Sequence, residues 1–297
     1  MRLKKPLNFE QQIERLKEHG ITIEDELKAK DVLKKVNYYR FTGYALQFRV
    51  DPQISEYKEG TTFNTIYNIV LFDEELRNVL RKYIEKIEIY FRTQISYGFS
   101  MAKCVESPFD QHYSRDNFYN KKGYDEIVDS VQHEKNYYRD SLFVAHHKKK
   151  YEGKMPLWVL VELMSFSNIS KLYSAMYISE KETIANSLGI SYKTLENHLH
   201  CLSVLRNKCA HAARLYNTKF NPPARFSSSF LRNNPEMKNN SLFAYVLVLL
   251  RRLPNKEDKE EMLNAVQQLL SKYKNDINME LIGFPRNYYD ILSNGIK

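Results

Sequence analysis

Residues 73–97 read DEELRNVLRKYIEKIEIYFRTQISY, and this stretch decides the fold class. Its apolar side chains recur mostly at steps of three and four residues, at Leu76, Leu80, Tyr83, Ile84, Ile87, Phe91 and Ile95. Charged side chains take positions on the other face, at Lys82, Glu85, Lys86 and Arg92. Because an α-helix turns once in about 3.6 residues, this spacing predicts a long amphipathic helix that packs into a core.

Helical patterns continue on both sides of this stretch. Residues 8–36 carry two helical pieces around a turn at Gly20, and Pro156 opens a helix whose core positions extend to Met176. Further helices are expected at about 180–214, 241–252 and 256–273. No segment alternates with the period of two that a β-strand requires, so the sequence predicts an all-α protein.

The chain divides by composition near residue 60. Turn-forming residues cluster between Gly43 and Gly60, which predicts a small N-terminal helical unit over residues 1–60 and a helical core over residues 61–297. Within that core, residues 105–155 are polar and rich in tyrosine. We expect an irregular insertion with short helices there.

The charge balance is compatible with a polyanionic partner. The 297 residues include 45 Lys and Arg against 36 Asp and Glu, which gives a formal charge of +9 and an isoelectric point of about 9.1. A basic surface with no nucleic-acid partner would have the same composition, because only clustered charge makes a partner specific. Motifs must therefore decide between the two interpretations.

Cysteine usage and the apolar runs indicate the compartment. Cys104, Cys201 and Cys209 are too few for a disulfide framework, which indicates a reducing environment. The first residues lack the apolar core of a signal peptide, and the longest apolar run, residues 242–250, is about half of a membrane span. We expect a soluble cytoplasmic protein with no membrane partner.

Residues 205–217 read LRNKCAHAARLYN and concentrate the groups that RNA chemistry uses. Metal-free cleavage of RNA needs a base for the ribose 2′-OH, an acid for the leaving 5′-oxygen and a cation for the phosphorane charge. Arg206 and His211 can supply all three when two copies of them meet. Lys208 and Arg214 are candidate phosphate contacts, although a purely solvated role suits both equally well.

Helical geometry explains why two copies are needed. On a helix, Arg206 and His211 lie about 140° apart, whereas Asn207 and His211 lie about 40° apart. Asn207 is thus placed to orient His211, while Arg206 must reach around the helix. One chain presents half of an acid–base site, and a second chain across a two-fold axis would complete it. We therefore expect a homodimer.

Four stretches carry a resemblance to a known family: residues 5–49, 63–97, 156–176 and 195–217, the last reading LENHLHCLSVLRNKCAHAARLYN. With them the chain resembles the Abi-like family of bacterial abortive-infection proteins, which belongs to the HEPN superfamily of helical ribonucleases. The resemblance implies a HEPN-like helical bundle and an RNase motif of Arg, a polar residue and a later His, matched by Arg206, Asn207 and His211. Family members often carry a second His next, where this chain has Ala212.

The resemblance implies a toxin-like, metal-independent endoribonuclease of phage defence, which acts on RNA without any cofactor and leaves a 2′,3′-cyclic phosphate. A second hypothesis is a non-cleaving RNA-binding regulator associated with a structured partner RNA. A third is a DNA-binding helix-turn-helix at residues 183–199, whose second helix would present Tyr192, Lys193, Glu196 and Asn197.

A zinc site is the remaining alternative for this region. Potential ligands are His198, His200, Cys201, Cys209 and His211. Their spacing fits no common closed zinc site, and only His198 and Cys201 stand one helical turn apart. We expect these side chains to serve the core or the surface, and we predict no metal.

Overall fold

The computed structural model describes residue 3 and residues 5–296, and within them the chain forms fourteen α-helices and no β-strand. The first seven helices are α1 (Phe9–Glu18), α2 (Glu26–Lys35), α3 (Tyr38–Tyr44), α4 (Phe63–Lys103), α5 (Lys121–Tyr137), α6 (Leu142–Tyr151) and α7 (Leu157–Leu160). The others are α8 (Phe166–Ala175), α9 (Ile178–Ser187), α10 (Tyr192–Ala210), α11 (Ser228–Asn233), α12 (Leu242–Arg252), α13 (Lys256–Lys272) and α14 (Tyr288–Asn294). The predicted all-α class is confirmed.

Helix α4 is the central element of the fold. Its 41 residues span about 60 Å at about 1.5 Å per residue. All seven apolar positions predicted for its inner face are buried, and Thr62 caps its first turn by accepting a hydrogen bond from the Thr65 N–H at 3.1 Å. Apolar residues continue this face toward Phe63 and Phe99, which is why the helix extends past both ends of the predicted segment.

Helix α10 runs antiparallel to α4. Residues late in α10 contact the middle of α4, at Glu88, whereas Leu215, beyond the end of α10, contacts Asp73 near its start. Helices α8, α9 and α12 pack on the other sides of α10, and residues 242–250 of α12 are all buried. The C-terminal end of α10 is therefore held over the first half of α4.

The helix predicted from Pro156 to Met176 is broken in two. Helix α7 and a 3₁₀ turn over Val161–Leu163 end at Met164, whose backbone is extended, and α8 begins two residues later. Ser165 causes the break, because its Oγ accepts a hydrogen bond from the Asn168 N–H at 3.2 Å and so caps a new helix.

The segment over residues 105–155 is more regular than predicted. Helix α5 has 17 residues, and it buries Tyr124, Ile127 and Val131 in its contact with α8. Helix α6 follows and buries only Val144. The polar composition reflects the wide exposed faces of these two helices.

The N-terminal helices share one apolar core with the rest of the chain. Phe41 of α3 stacks on Phe63 of α4 with ring centroids 4.4 Å apart, and one cluster of buried side chains includes both Ile13 and Leu292. The division near residue 60 coincides with the start of α4 and stays a prediction. Across the described residues, no helix has both the length and the apolar character needed to cross a membrane.

Candidate functional site

The Arg–His motif lies at the C-terminal end of α10. The helix was expected to reach residue 214, but it ends at Ala210, and His211 caps it by donating its N–H to the Asn207 carbonyl at 3.0 Å. Ala212 then adopts a left-handed conformation with φ of 50°, which turns the chain away from the helix axis. His211 thus projects from the helix end, where its side chain is exposed.

Arg206 is held by a carboxylate on α4. Its Nε donates to Oε2 of Glu88 at 3.3 Å, and the side chain keeps 35% of its surface exposed while Glu88 keeps 9%. Within the described residues the two Nη groups of Arg206 donate no hydrogen bond. The guanidinium is therefore anchored at one nitrogen and can offer the other two to an anion.

A second arginine shares the same carboxylate. Arg92 donates to Oε1 of Glu88 at 2.7 Å and to the Met164 carbonyl at 2.9 Å. Two guanidiniums around one carboxylate leave a net charge of +1, so Glu88 positions Arg206 without cancelling the positive charge of the cluster.

Asn207 connects α10 to α8. Its amide nitrogen donates to the Ser167 Oγ at 3.1 Å, and no hydrogen bond joins its side chain to the His211 ring among the described residues. The only link between the two is the backbone bond that caps the helix. The structure thus brings Arg206, Asn207 and His211 onto the last turn of one helix but does not pair their side chains.

The two candidate phosphate contacts both have partners within the chain. Nζ of Lys208 lies 5.4 Å from the centroid of the Phe220 ring. Arg214 donates to the Gly43 carbonyl and stacks over the Tyr44 ring at 5.8 Å. Both side chains hold the loop after the motif, and Arg214 fastens it to the N-terminal helical unit.

Asp73 organises the backbone that follows the motif. Its fully buried carboxylate accepts hydrogen bonds from the Tyr44 hydroxyl at 2.7 Å, the Leu215 N–H at 3.1 Å and the Tyr216 N–H at 2.7 Å. It also pairs with Arg77, whose guanidinium donates to the Ala213 carbonyl at 3.3 Å. Burial, reinforced by the charge of Asp73, raises the pKa of Tyr44, so its hydroxyl remains a donor.

Neither Asp73 nor Glu88 was predicted from the sequence to support the motif. A signal was present, because each acid is followed four residues later by an arginine, Arg77 and Arg92 respectively. The two residues of each pair are one helical turn apart, on a helix whose inner face is otherwise mostly apolar. A buried i, i+4 ion pair of this kind indicates a long-range partner that only packing can supply.

The potential zinc ligands are dispersed. No group of three or more His, Cys, Asp or Glu side chains that could hold a metal ion occurs in the part of the chain that the structure describes. Burial raises the pKa of Cys201 to about 11 and that of Cys209 to about 12, so both thiols stay protonated. His198 is buried and its Nε2 lies 2.8 Å from the Arg225 carbonyl.

The predicted DNA-reading face of α10 is used for internal contacts. Glu196 accepts from the Ser174 Oγ at 2.6 Å and from Lys181 at 3.2 Å. Asn197 donates to the Pro223 carbonyl at 3.0 Å and accepts from the Arg225 N–H at 2.6 Å. These bonds engage two of the four side chains that the second helix would present to bases, which argues against the helix-turn-helix hypothesis.

The structure thus defines an all-α protein with a partly exposed Arg206 and an exposed His211 at the C-terminal end of a core helix. Residues 31–217 match the model of the Abi-like protein family, and this match spans more than half of the chain. The chain therefore belongs to the Abi-like family, which connects it with abortive infection, a form of phage defence. No curated protein and no solved structure shows significant similarity to it.

Proposed function

We propose that the protein is a metal-independent, HEPN-type endoribonuclease that acts as a toxin-like cytoplasmic arm of phage defence. The observation that carries the proposal is the state of the motif: the Arg206 guanidinium is anchored by Glu88 with its Nη groups unbonded in the described chain, and His211 is exposed at the same end of α10. A sealed guanidinium or a buried imidazole would have excluded this chemistry.

His211 and Arg206 each have one role in the proposed reaction. The His211 imidazole takes the proton of the ribose 2′-OH, whose oxygen attacks the adjacent phosphorus. Arg206 stabilises the negative charge of the phosphorane. The 5′-oxygen leaves with a proton from a second, protonated imidazole, so the products are a 2′,3′-cyclic phosphate and a 5′-hydroxyl.

The second imidazole requires a second chain. One protomer supplies one exposed His at this position, and a two-fold axis near the end of α10 would bring the partner's copy to the same phosphate. The proposed site is therefore composite, with RNA as substrate and a homodimer as the active form. An RNA or protein that restrains the enzyme belongs to the same proposal.

A non-cleaving RNA-binding regulator is the second candidate. One observation favours it: Asn207 donates to Ser167, and the described residues of a single chain provide no hydrogen bond to the His211 ring. Such a protein would bind a structured RNA through the same cations and show no turnover. Only the appearance of new RNA ends distinguishes the two candidates.

The deciding experiment incubates the purified wild type, His211→Ala and Arg206→Ala with total RNA and maps the ends. We expect 2′,3′-cyclic phosphate ends from the wild type alone, with a rate loss of about 100-fold or more in each variant, because general acid–base catalysis by His211 and charge stabilisation by Arg206 each supply about that factor. Cleavage should persist in EDTA. Lys58→Ala, an exposed change in the N-terminal unit, is the control. Undiminished cutting by His211→Ala refutes the mechanism.

A further inference from the structure

A groove lined mainly by serine and charged or amide residues leads away from the motif between α8 and α10. It has a volume of about 550 Å³ and is open along one side. Ser167, the residue bonded to Asn207, lies at its edge, and Lys193, His200 and Arg225 line it further along. One hydrogen bond thus joins the lining of the groove to Asn207 in the last turn of α10.

The lining of the groove carries excess positive charge. Its one carboxylate, Glu196, is paired with Lys181, and its Lys171 is paired with Glu126 at 2.9 Å. Lys193 and Arg225 are exposed, and neither has a carboxylate within salt-bridge distance in the described chain. Two cations are thus available to phosphate groups in the groove.

The far wall of the groove is fixed to α10. The Arg225 N–H donates to Asn197 and its carbonyl accepts from His198, while Asn197 also binds the Pro223 carbonyl. Burial lowers the pKa of His198 to about 4, so the ring stays neutral at physiological pH and retains this role. The backbone that carries Arg225 is held in place before any ligand binds.

The distance along α10 from Lys193 in the groove to Arg206 of the motif matches a short run of nucleotides. Lys193 and Arg206 are thirteen residues apart on α10, or about 20 Å at about 1.5 Å per residue. Nucleotides in a stacked strand are about 3.4 Å apart, so this length holds about six of them. Unpaired strands suit such a groove, because their bases and ribose hydroxyls are accessible to polar side chains.

We propose that the α8–α10 groove binds single-stranded RNA on one side of the cleaved bond, with Lys193 and Arg225 contacting its phosphates. This inference rests on the proposed ribonuclease function and deepens it by naming the substrate as an unpaired strand. His200 and the serine hydroxyls of the groove provide polar groups for ribose and base edges.

The test measures RNA binding in full-length protein that cannot cut. In a His211→Ala background, the affinity for a labelled 12-nucleotide single-stranded RNA is measured by fluorescence anisotropy at several salt concentrations. For single strands, each phosphate contact contributes about 0.7 to the slope of log affinity against log salt. Adding Lys193→Ala and Arg225→Ala should weaken binding and make that slope less steep by about 1.4.

The control is Lys58→Ala in the same background. Lys58 precedes the N-terminus of α4, whereas the groove lies toward the C-terminal end of that helix. The salt slope of the Lys58→Ala variant should therefore equal that of the parent protein. Circular dichroism checks that each variant is folded. A slope that stays unchanged in the double variant, or that falls equally in the control, overturns the groove proposal.

Cleavage by the active protein separates this proposal from the function on which it rests. If the wild type cuts RNA, Lys193→Ala/Arg225→Ala with His211 intact should raise KM and leave kcat unchanged, and an unchanged KM counts against the groove. If the wild type binds RNA without cutting while the slope still falls by about 1.4, the ribonuclease proposal fails and the groove stands. A duplex of the same length that binds equally well would overturn the choice of an unpaired strand.

Discussion

Asp73 is the residue whose loss we expect to destabilise the protein most. Its carboxylate accepts four hydrogen bonds, from Tyr44, Arg77, Leu215 and Tyr216, in a position with no solvent exposure. Asp73→Ala removes all four acceptor contacts at once. The Arg77 guanidinium, only 3% exposed, is then left without a counter-charge.

The expected loss of stability in Asp73→Ala follows from the charged and polar groups that stay buried without a partner. Breaking a buried ion pair from one side costs about 3–5 kcal/mol, because an uncompensated charge remains. Each buried N–H that loses its acceptor adds about 1–3 kcal/mol, although water entering the space left by the carboxylate would recover part of this. We expect the free energy of unfolding to fall by about 5 kcal/mol, from a total that in proteins is about 5–15 kcal/mol.

Urea unfolding followed by circular dichroism measures the effect, with three variants compared. Asp73→Asn keeps an acceptor oxygen and should lose less than Asp73→Ala, and it remains measurable if the alanine variant does not fold. Asp73→Ala/Arg77→Met removes the stranded charge and should be more stable than Asp73→Ala alone. A loss below about 1 kcal/mol in Asp73→Ala, or a double variant no more stable than the single one, would refute the reasoning.

Three further predictions concern Glu88, Ala212 and His198. Glu88→Gln should slow RNA cleavage by roughly 10- to 100-fold, since Arg206 loses its charged anchor; an unchanged initial rate would contradict this. Ala212→Gly should raise the free energy of unfolding by about 0.5–1 kcal/mol in urea titrations, because φ is 50° there and glycine adopts it without strain. Burial lowers the pKa of His198 from 6.5 to about 4, so between these values the unfolded state binds a proton on His198 that the folded state does not bind. The free energy of unfolding, fully present above pH 6.5, should therefore decrease by up to about 3 kcal/mol as the pH falls to 4. Stability curves of the wild type and His198→Gln across that range test this, and equal slopes would contradict it.

Local periodicity was sufficient to predict the central helix, and side-chain chemistry alone selected the motif, whose role stays a prediction. The apolar face of residues 73–97 is buried as the spacing predicted, because which side of a helix is apolar depends only on residues three and four apart. Arg206 and His211 could be selected because RNA cleavage needs those side chains, whatever surrounds them. Neither inference required knowledge of distant residues.

The helix ends were less predictable than the helices. Ser165 divides the helix expected after Pro156, and the left-handed turn at Ala212 ends α10 before residue 214. A serine or alanine is compatible with both a helix interior and a helix end. The Arg92 guanidinium, which binds the Met164 carbonyl from α4, stabilises the first of these breaks, and that contact joins residues 72 positions apart.

The sequence by itself therefore determined the all-α class and the buried face of α4, because short-range spacing specifies them, and side-chain chemistry predicted the Arg–His pair. Only the tertiary structure decided what holds and surrounds that pair. The Glu88 anchor stands 118 positions from Arg206, the Asp73 contacts stand 142 and 143 positions from the backbone they bind, and the groove needs α8 beside α10. Such contacts arise from the antiparallel packing of α10 on α4, and no pattern within a single helix specifies which distant residue will lie opposite.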